Sequence, residues 1–187
     1  EIPCWLSVDD DRYISFKEEL ISKRFEEYVK DVKPEIIELF KYASFGIPRS
    51  FISLLSNYSR ESVSNVQKRF NDTLARQAEF IKTEYLSISQ KLPQYKNVIE
   101  KGMSLFSKSI HYIRETNTKL PAYEKNIMIG ILSKDIEDHN LVTRIIQFLI
   151  EAGLFYDKGS VKHGENRYYN RYIPHILFAI ENRSFSS

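Results

Sequence analysis

Apolar residues recur along the first third of the chain at steps of three and four, the period of helices with one buried face. Phe16, Leu20, Ile21, Phe25, Tyr28 and Val32 form the first such stripe. Pro34 suits the first turn of a second helix, because its fixed φ is helical and its missing N–H has no partner there anyway. Ile36, Ile37, Leu39 and Phe40 give that helix a buried side, and it is expected to end near Gly46. Pro48 then opens a third, short helix with Phe51, Leu54 and Leu55 inward. From Ser59 the spacing of Val63, Val66, Phe70, Leu74, Ala78, Ile81, Tyr85 and Ile88 predicts one long helix, broken by Pro93. A second long stripe follows through Tyr95, Val98, Ile99, Gly102, Met103, Phe106, Ile110 and Ile113. Two long helices joined by a proline turn are most simply an antiparallel hairpin.

Beyond the linker candidate "NTKLP", starting at Asn117, the pattern changes. "AYEKNIMIGILSKD" is expected to be helical. So is "IEDHNLVTRIIQFLIEAGLF", with Leu141, Ile145, Ile146, Phe148 and Leu149 on its core side and Gly153 at its stop. "LFYDKGSVKHGENRYYNRYI" reads as a β-hairpin, aromatic strands around a loop holding Gly159 and Gly164. A last helix is expected from Pro174. Helix, helix and a two-stranded hairpin with a charged tip is the order of a winged helix. The predicted fold is therefore mainly α, with a helical bundle and long helical hairpin over residues 1–118 and a winged helix over residues 119–187.

Composition narrows this picture. A 42% apolar fraction supplies a core, and only six Gly and six Pro favour helices over an all-β fold. The net charge of +2 offers no global attraction for nucleic acid. It is unevenly spread: residues 1–58 carry 8 basic and 11 acidic side chains, residues 59–118 carry 10 and 6, and residues 119–187 carry 9 and 8. The lone Cys4 allows no internal disulfide and, with the four scattered His, fits no zinc spacing. Without a signal peptide or a long apolar span, a cytoplasmic setting and no membrane are expected. The opening Glu1-Ile2-Pro3, with no Met, reads as the start of a fragment. Asp9, Asp10 and Asp11 lack the spaced ligands and Gly of a calcium loop and read as a helix cap.

Chemistry concentrates at two places. The first is "ASFGIPR". A helix start offers unpaired N–H groups and a partial positive charge, and Arg49 adds a guanidinium there, so an anion such as a nucleotide phosphate is favoured. The alternative is an exposed Arg on a short helix after a Gly46 stop. An amphipathic helix, "ASFGIPR" and a short apolar helix resemble the lid of AAA+ ATPases, most closely the origin-recognition/initiator and STAND-like branch. In that family a Gly-x-Pro-Arg motif opens a lid helix whose Arg, sensor 2, reaches the γ-phosphate. The resemblance puts Gly46, Pro48 and Arg49 on that motif. It also implies a C-terminal winged helix, and "RYIPHILFAIENRS" is similar to the closing segment of bacterial relatives. The chain departs from the family in having no GxxxxGK[ST], hence no P-loop lysine and no Mg²⁺-holding hydroxyl. It is expected to be the C-terminal portion of a larger ATPase, with no cofactor of its own and ATP and Mg²⁺ belonging to the parent protein.

The second place is the winged helix. Outward positions His139, Asn140, Thr143, Arg144 and Gln147 carry the side chains that read base edges, Asn and Gln for adenine and Arg for guanine. Lys158, Lys162, His163, Arg167 and Arg171 can hold phosphates of double-stranded DNA. Asp138, Glu151, Asp157 and Glu165 oppose them, so a protein-docking face is the alternative. Tyr168, Tyr169 and Tyr172 are expected to alternate between core and surface rather than stack on bases. Lys68, Arg69, Arg76 and Lys82 are interspersed with Asp72, Glu79 and Glu84, as on a solvated helix surface. His111, His139, His163 and His175 adjoin no nucleophile motif, and the pairs Glu18/Glu19 and Glu26/Glu27 suit helix surfaces, so no catalytic constellation emerges. Three functions fit: a DNA- or partner-binding region of an AAA+/STAND-like ATPase engaging the ATPase core, a free-standing winged-helix regulator that dimerises, or a protein-docking adaptor.

Overall fold

The computed structural model describes residues 10–30, 32–62, 64–164 and 167–185. Cys4, Asp9, Val63 and Glu165, and the side chain of Tyr28, lie outside the described residues. The chain is mainly helical with one small antiparallel sheet, and it divides into two compact units, Glu1–Glu79 and Phe80–Ser187.

In the first unit, helix α1 (Asp11–Leu20) is capped by Asp10, whose carboxylate accepts the Arg12 N–H at 2.9 Å. It continues through a π-helical turn (Ile21–Phe25) into α2 (Glu26–Val29). Helices α3 (Pro34–Ala43) and α4 (Pro48–Arg60) each begin on a proline, and the residues before them, Lys33 and Ile47, are extended as a following proline requires. Between them Gly46 has φ 73°, a left-handed conformation that costs glycine little.

The apolar stripe of α4 runs further than expected. Tyr58 joins Phe51, Leu54 and Leu55 in the core, and the Ser59 hydroxyl turns back onto the Leu55 carbonyl at 2.7 Å. Ser59 therefore belongs to α4 and does not begin the long helix. That helix, α5 (Val66–Lys91), starts where the Asn65 side chain accepts the Lys68 N–H at 2.9 Å. The core of this unit is aromatic: Phe40 meets Tyr58 edge-on at 5.5 Å and stacks on Phe70 at 5.6 Å, and Tyr13 meets Phe51 at 6.5 Å. Arg69 lies 3.8 Å over the Tyr58 ring and donates to the Tyr58 carbonyl at 2.7 Å, so one of the basic residues of α5 is a packing element.

The second unit takes in the rest of α5. A 3₁₀ turn at Pro93–Tyr95 leads to α6 (Lys96–Asn117). Asn117 is buried, and its side chain both donates to and accepts from the Asn126 backbone, each at 2.8 Å, so the segment after α6 is tied back at both ends. Strand β1 (Ile129–Leu132), α7 (Ser133–Glu137), α8 (Asn140–Glu151), β2 (Phe155–His163), β3 (Arg167–Pro174) and α9 (Ile176–Glu181) follow.

The helix expected over "AYEKNIMIGILSKD" is thus mostly replaced by a strand and a five-residue helix. Ile127, Ile129 and Ile131 alternate, a period of two, and β1 gains a ladder against the centre of β3, with Ile129 opposite Tyr172 and Leu132 opposite Tyr169. The expected hairpin gains this third strand, in the order β1-β3-β2. Pro174 ends β3 opposite Phe155 instead of starting a helix; α9 begins after His175.

Gly153, at φ 75°, stops α8 as expected, with its own N–H bonded to Ile150 and that of Leu154 to Leu149. Phe106 of α6 holds the unit together, meeting Phe178 edge-on at 4.8 Å and Phe155 at 6.0 Å, while Phe155 stacks on Tyr172 at 5.6 Å.

Candidate functional site

Asn140, Arg144 and Gln147 stand four and three residues apart on α8, and all three are exposed along one face. The opposite face buries Ile145, Ile146 and Leu149. Thr143 is exposed beside them, but its hydroxyl donates to the Ile136 carbonyl at 2.8 Å, tying the start of α8 to α7. Its donor is thus engaged, while its oxygen can still accept.

The β2–β3 hairpin extends past the core. Exposure grows from the buried Ile173 and Phe155 end toward Lys162, His163 and Arg167. Tyr172 and Tyr168 share a face of β3, yet Tyr172 is 3% exposed and Tyr168 is 51%. Distance from the core, more than alternation, decides which tyrosine is wet. The ladder is irregular between Asp157 and Ser160. Arg171 closes on this bulge from the opposite strand, donating to the Lys158 carbonyl at 3.2 Å. Asp157 is committed to the same turn, accepting the Gly159 N–H at 2.7 Å. Lys158 lies 5.0 Å over the Tyr156 ring. Lys162, His163 and Arg167 remain exposed.

Charge separates these two surfaces. Residues 155–174 hold Lys158, Lys162, Arg167 and Arg171 against Asp157 and Glu165, net +2. Residues 133–153 hold Lys134 and Arg144 against Asp135, Glu137, Asp138 and Glu151, net −2. The positive charge of this unit's sheet therefore resides in the hairpin, and Asn140, Arg144 and Gln147 on α8 lie in a net negative stretch.

A feature invisible in the sequence lies beside the hairpin. Asn170 Oδ1 accepts from both Ser133 (2.8 Å) and Ser160 (2.7 Å), joining α7, β2 and β3. This junction adjoins a cleft of about 330 Å³ lined by Lys134, Glu137, Arg167 and Tyr168 among others. Ser133 meets Asn170, 37 residues on, through strand register, which no local pattern encodes.

In the first unit Arg49 is exposed in the first turn of α4, Pro48 is half-buried and Gly46 is buried. Ile47 gives the helix no side-chain cap. Pro48 has no N–H, and those of Ile47 and Phe51 are bonded to the Ser44 and Ile47 carbonyls, so the N–H groups of Arg49 and Ser50 are the ones this helix start leaves without a backbone partner.

Among the described residues no group of three or more His, Cys, Asp and Glu stands together to hold a metal ion, and no helix is long and apolar enough to cross a membrane. Comparison with known proteins finds no family model, no curated protein and no solved structure that matches this chain.

Proposed function

We propose that α6 through β3 act as a winged-helix module that engages double-stranded DNA, in the C-terminal region of an AAA+/STAND-like ATPase. The element order helix, strand, helix, helix, strand, strand, with sheet order β1-β3-β2, supports the module. The observation that carries the reading is the hairpin that leaves the core with Lys158, Lys162, His163 and Arg167 exposed. Hairpin cations take the phosphates, and Asn140, Arg144 and Gln147 meet base edges. The exposed Arg49 at an uncapped helix start supports the nucleotide-sensing half, as one arm of a site whose P-loop this sequence does not contain.

Fluorescence anisotropy with a mixed-sequence duplex tests the DNA half. Micromolar binding is expected, with a log–log salt slope of roughly −3 to −4 for four phosphate contacts. Lys162→Glu with Arg167→Glu is expected to abolish it, and Arg144→Gln to weaken it less. Absence of binding at low salt overturns the reading. It would favour the second one, a protein-docking face, to which the net negative charge around α8 points. For Arg49, ATP is expected to shift the amide resonances of the first turn of α4, and Arg49→Gln to remove that shift.

A further inference from the structure

The first unit contains a cleft lined by two arginines, distinct from Arg49. A cleft of about 300 Å³, the lower end of the range for small-molecule sites, lies between the π-helical turn and the last turns of α4. Leu20 and Ile52 contribute apolar surface to it, and Arg24, Arg60 and Ser56 line it. Arg24 sits in the π-helical turn and Arg60 is the last residue of α4. Arg49 belongs to the opposite end of α4, 11 residues or about 16 Å of helix away.

Three observations make this more than a surface dimple. First, neither guanidinium has a hydrogen-bond or ion-pair partner among the described residues. Neighbouring cations are engaged: Lys17 with Glu38 at 3.0 Å, Lys23 with Glu19, Arg76 with Glu61, and Arg69 on Tyr58. Glu61, adjacent to Arg60 in sequence, is taken by Arg76. Two like charges thus line one cleft with no paired carboxylate among the described residues, in a stretch where acidic residues outnumber basic ones. Second, Arg24 is presented by a π-helical turn, an irregularity frequent at functional sites. Third, Ile52, Ser56 and Arg60 stand four residues apart on α4, so one face of that helix brings apolar surface, a hydroxyl and a cation to the same cleft.

We infer that this cleft binds a phosphate monoester with a small apolar or aromatic body. The two guanidiniums would clamp the dianion, the Ser56 hydroxyl would add a donor, and Leu20 and Ile52 would cover the body. A free aryl phosphate and a phosphotyrosyl side chain share that chemistry.

The test is NMR titration of the full chain with phenyl phosphate, phenol and inorganic phosphate. Saturable shifts confined to Leu20–Phe25 and Ile52–Arg60 are expected with phenyl phosphate, and tighter binding than either part gives alone. Arg24→Gln and Arg60→Gln, both at exposed positions, are each expected to weaken it at least about tenfold, and Arg49→Gln to leave it unchanged. A phosphotyrosyl peptide separates the sources: tighter binding than phenyl phosphate assigns the site to protein ligands, and equal or weaker binding to small molecules. No saturable shift at millimolar phenyl phosphate, or affinity unchanged in both arginine variants with folding intact by circular dichroism, overturns the inference. Inorganic phosphate binding as tightly as phenyl phosphate would overturn the role of the apolar surface.

Discussion

At the scale of single residues, Tyr85 and Gly102 show how tightly the second unit is closed. The Tyr85 hydroxyl is buried without a hydrogen-bond partner among the described residues, and burial pushes its pKa up to about 12. It occupies the space an alanine methyl would need at Gly102. Gly102→Ala is therefore expected to destabilise the fold by about 1–2 kcal/mol, overpacking outweighing the gain in helix propensity. Tyr85→Phe removes an unsatisfied hydroxyl and is expected to be neutral or stabilising by up to about 1 kcal/mol. Combined, the two should cost less than their sum, because the phenol oxygen that alanine would strike is gone; urea denaturation of the four proteins measures the coupling. Neither residue is distinguished in the sequence. Both fall on predicted apolar stripes, and only packing reveals that one side chain rests on the other's bare backbone.

At the scale of elements, α9 depends on a histidine that must stay neutral. His175 is 1% exposed, packs against the Phe178 ring at 5.8 Å, and caps α9 by accepting the Leu177 N–H on Nδ1 at 3.4 Å. Burial lowers its pKa from 6.5 to about 3. Below pH 6.5 the unfolded chain takes up a proton that the folded imidazole refuses. Stability is therefore full above that pH and declines as pH falls toward 3, by up to about 1.4 kcal/mol per unit. The stability contributed by carboxylates with lowered pKa, such as Glu38 held down by Lys41, is lost only as pH falls below their ordinary value of 4.5. Thermal midpoints between pH 7.5 and 5 thus avoid the carboxylates, and comparison with His175→Asn, which keeps a capping side chain, isolates this histidine: the variant should show a flatter profile. Element boundaries were legible where one residue dictates them: Pro34, Pro48 and Pro93 each fix a helix start or stop, and Gly153 ends α8. They were illegible where partners decide. Ile129–Leu132 has isoleucines that suit a helix face or a strand, and only the distant β3 selects the strand.

At the scale of the whole molecule, charge is unevenly spread along the chain. The near-neutral total hides a positive hairpin and a negative surround to α8. The candidate reader positions were legible because helical spacing alone puts Asn140, Arg144 and Gln147 on one exposed face. The junction at Asn170 was not, because it depends on strand register. If the hairpin meets DNA phosphates, each cation contributes separately to counterion release. Lys162→Gln should then reduce the magnitude of the salt slope by about one, whereas Gln147→Ala should leave the slope intact and relax sequence preference. Anisotropy titrations at four salt concentrations distinguish the two effects.

The strand order has a consequence for solubility. Because β3 lies in the middle, β2 is an edge strand nine residues long, with backbone groups open to any passing chain. Its bulge and its charges, Asp157, Lys158 and Lys162, are the means by which such an edge avoids stacking onto another copy of itself. The lysines that suit a phosphate backbone also serve as gatekeepers against aggregation. Replacing Lys158 and Lys162 with valine is expected to invite strand-to-strand assembly, and would also lower DNA affinity if the hairpin binds DNA, so charge reversal to glutamate is the substitution that separates recognition from self-association.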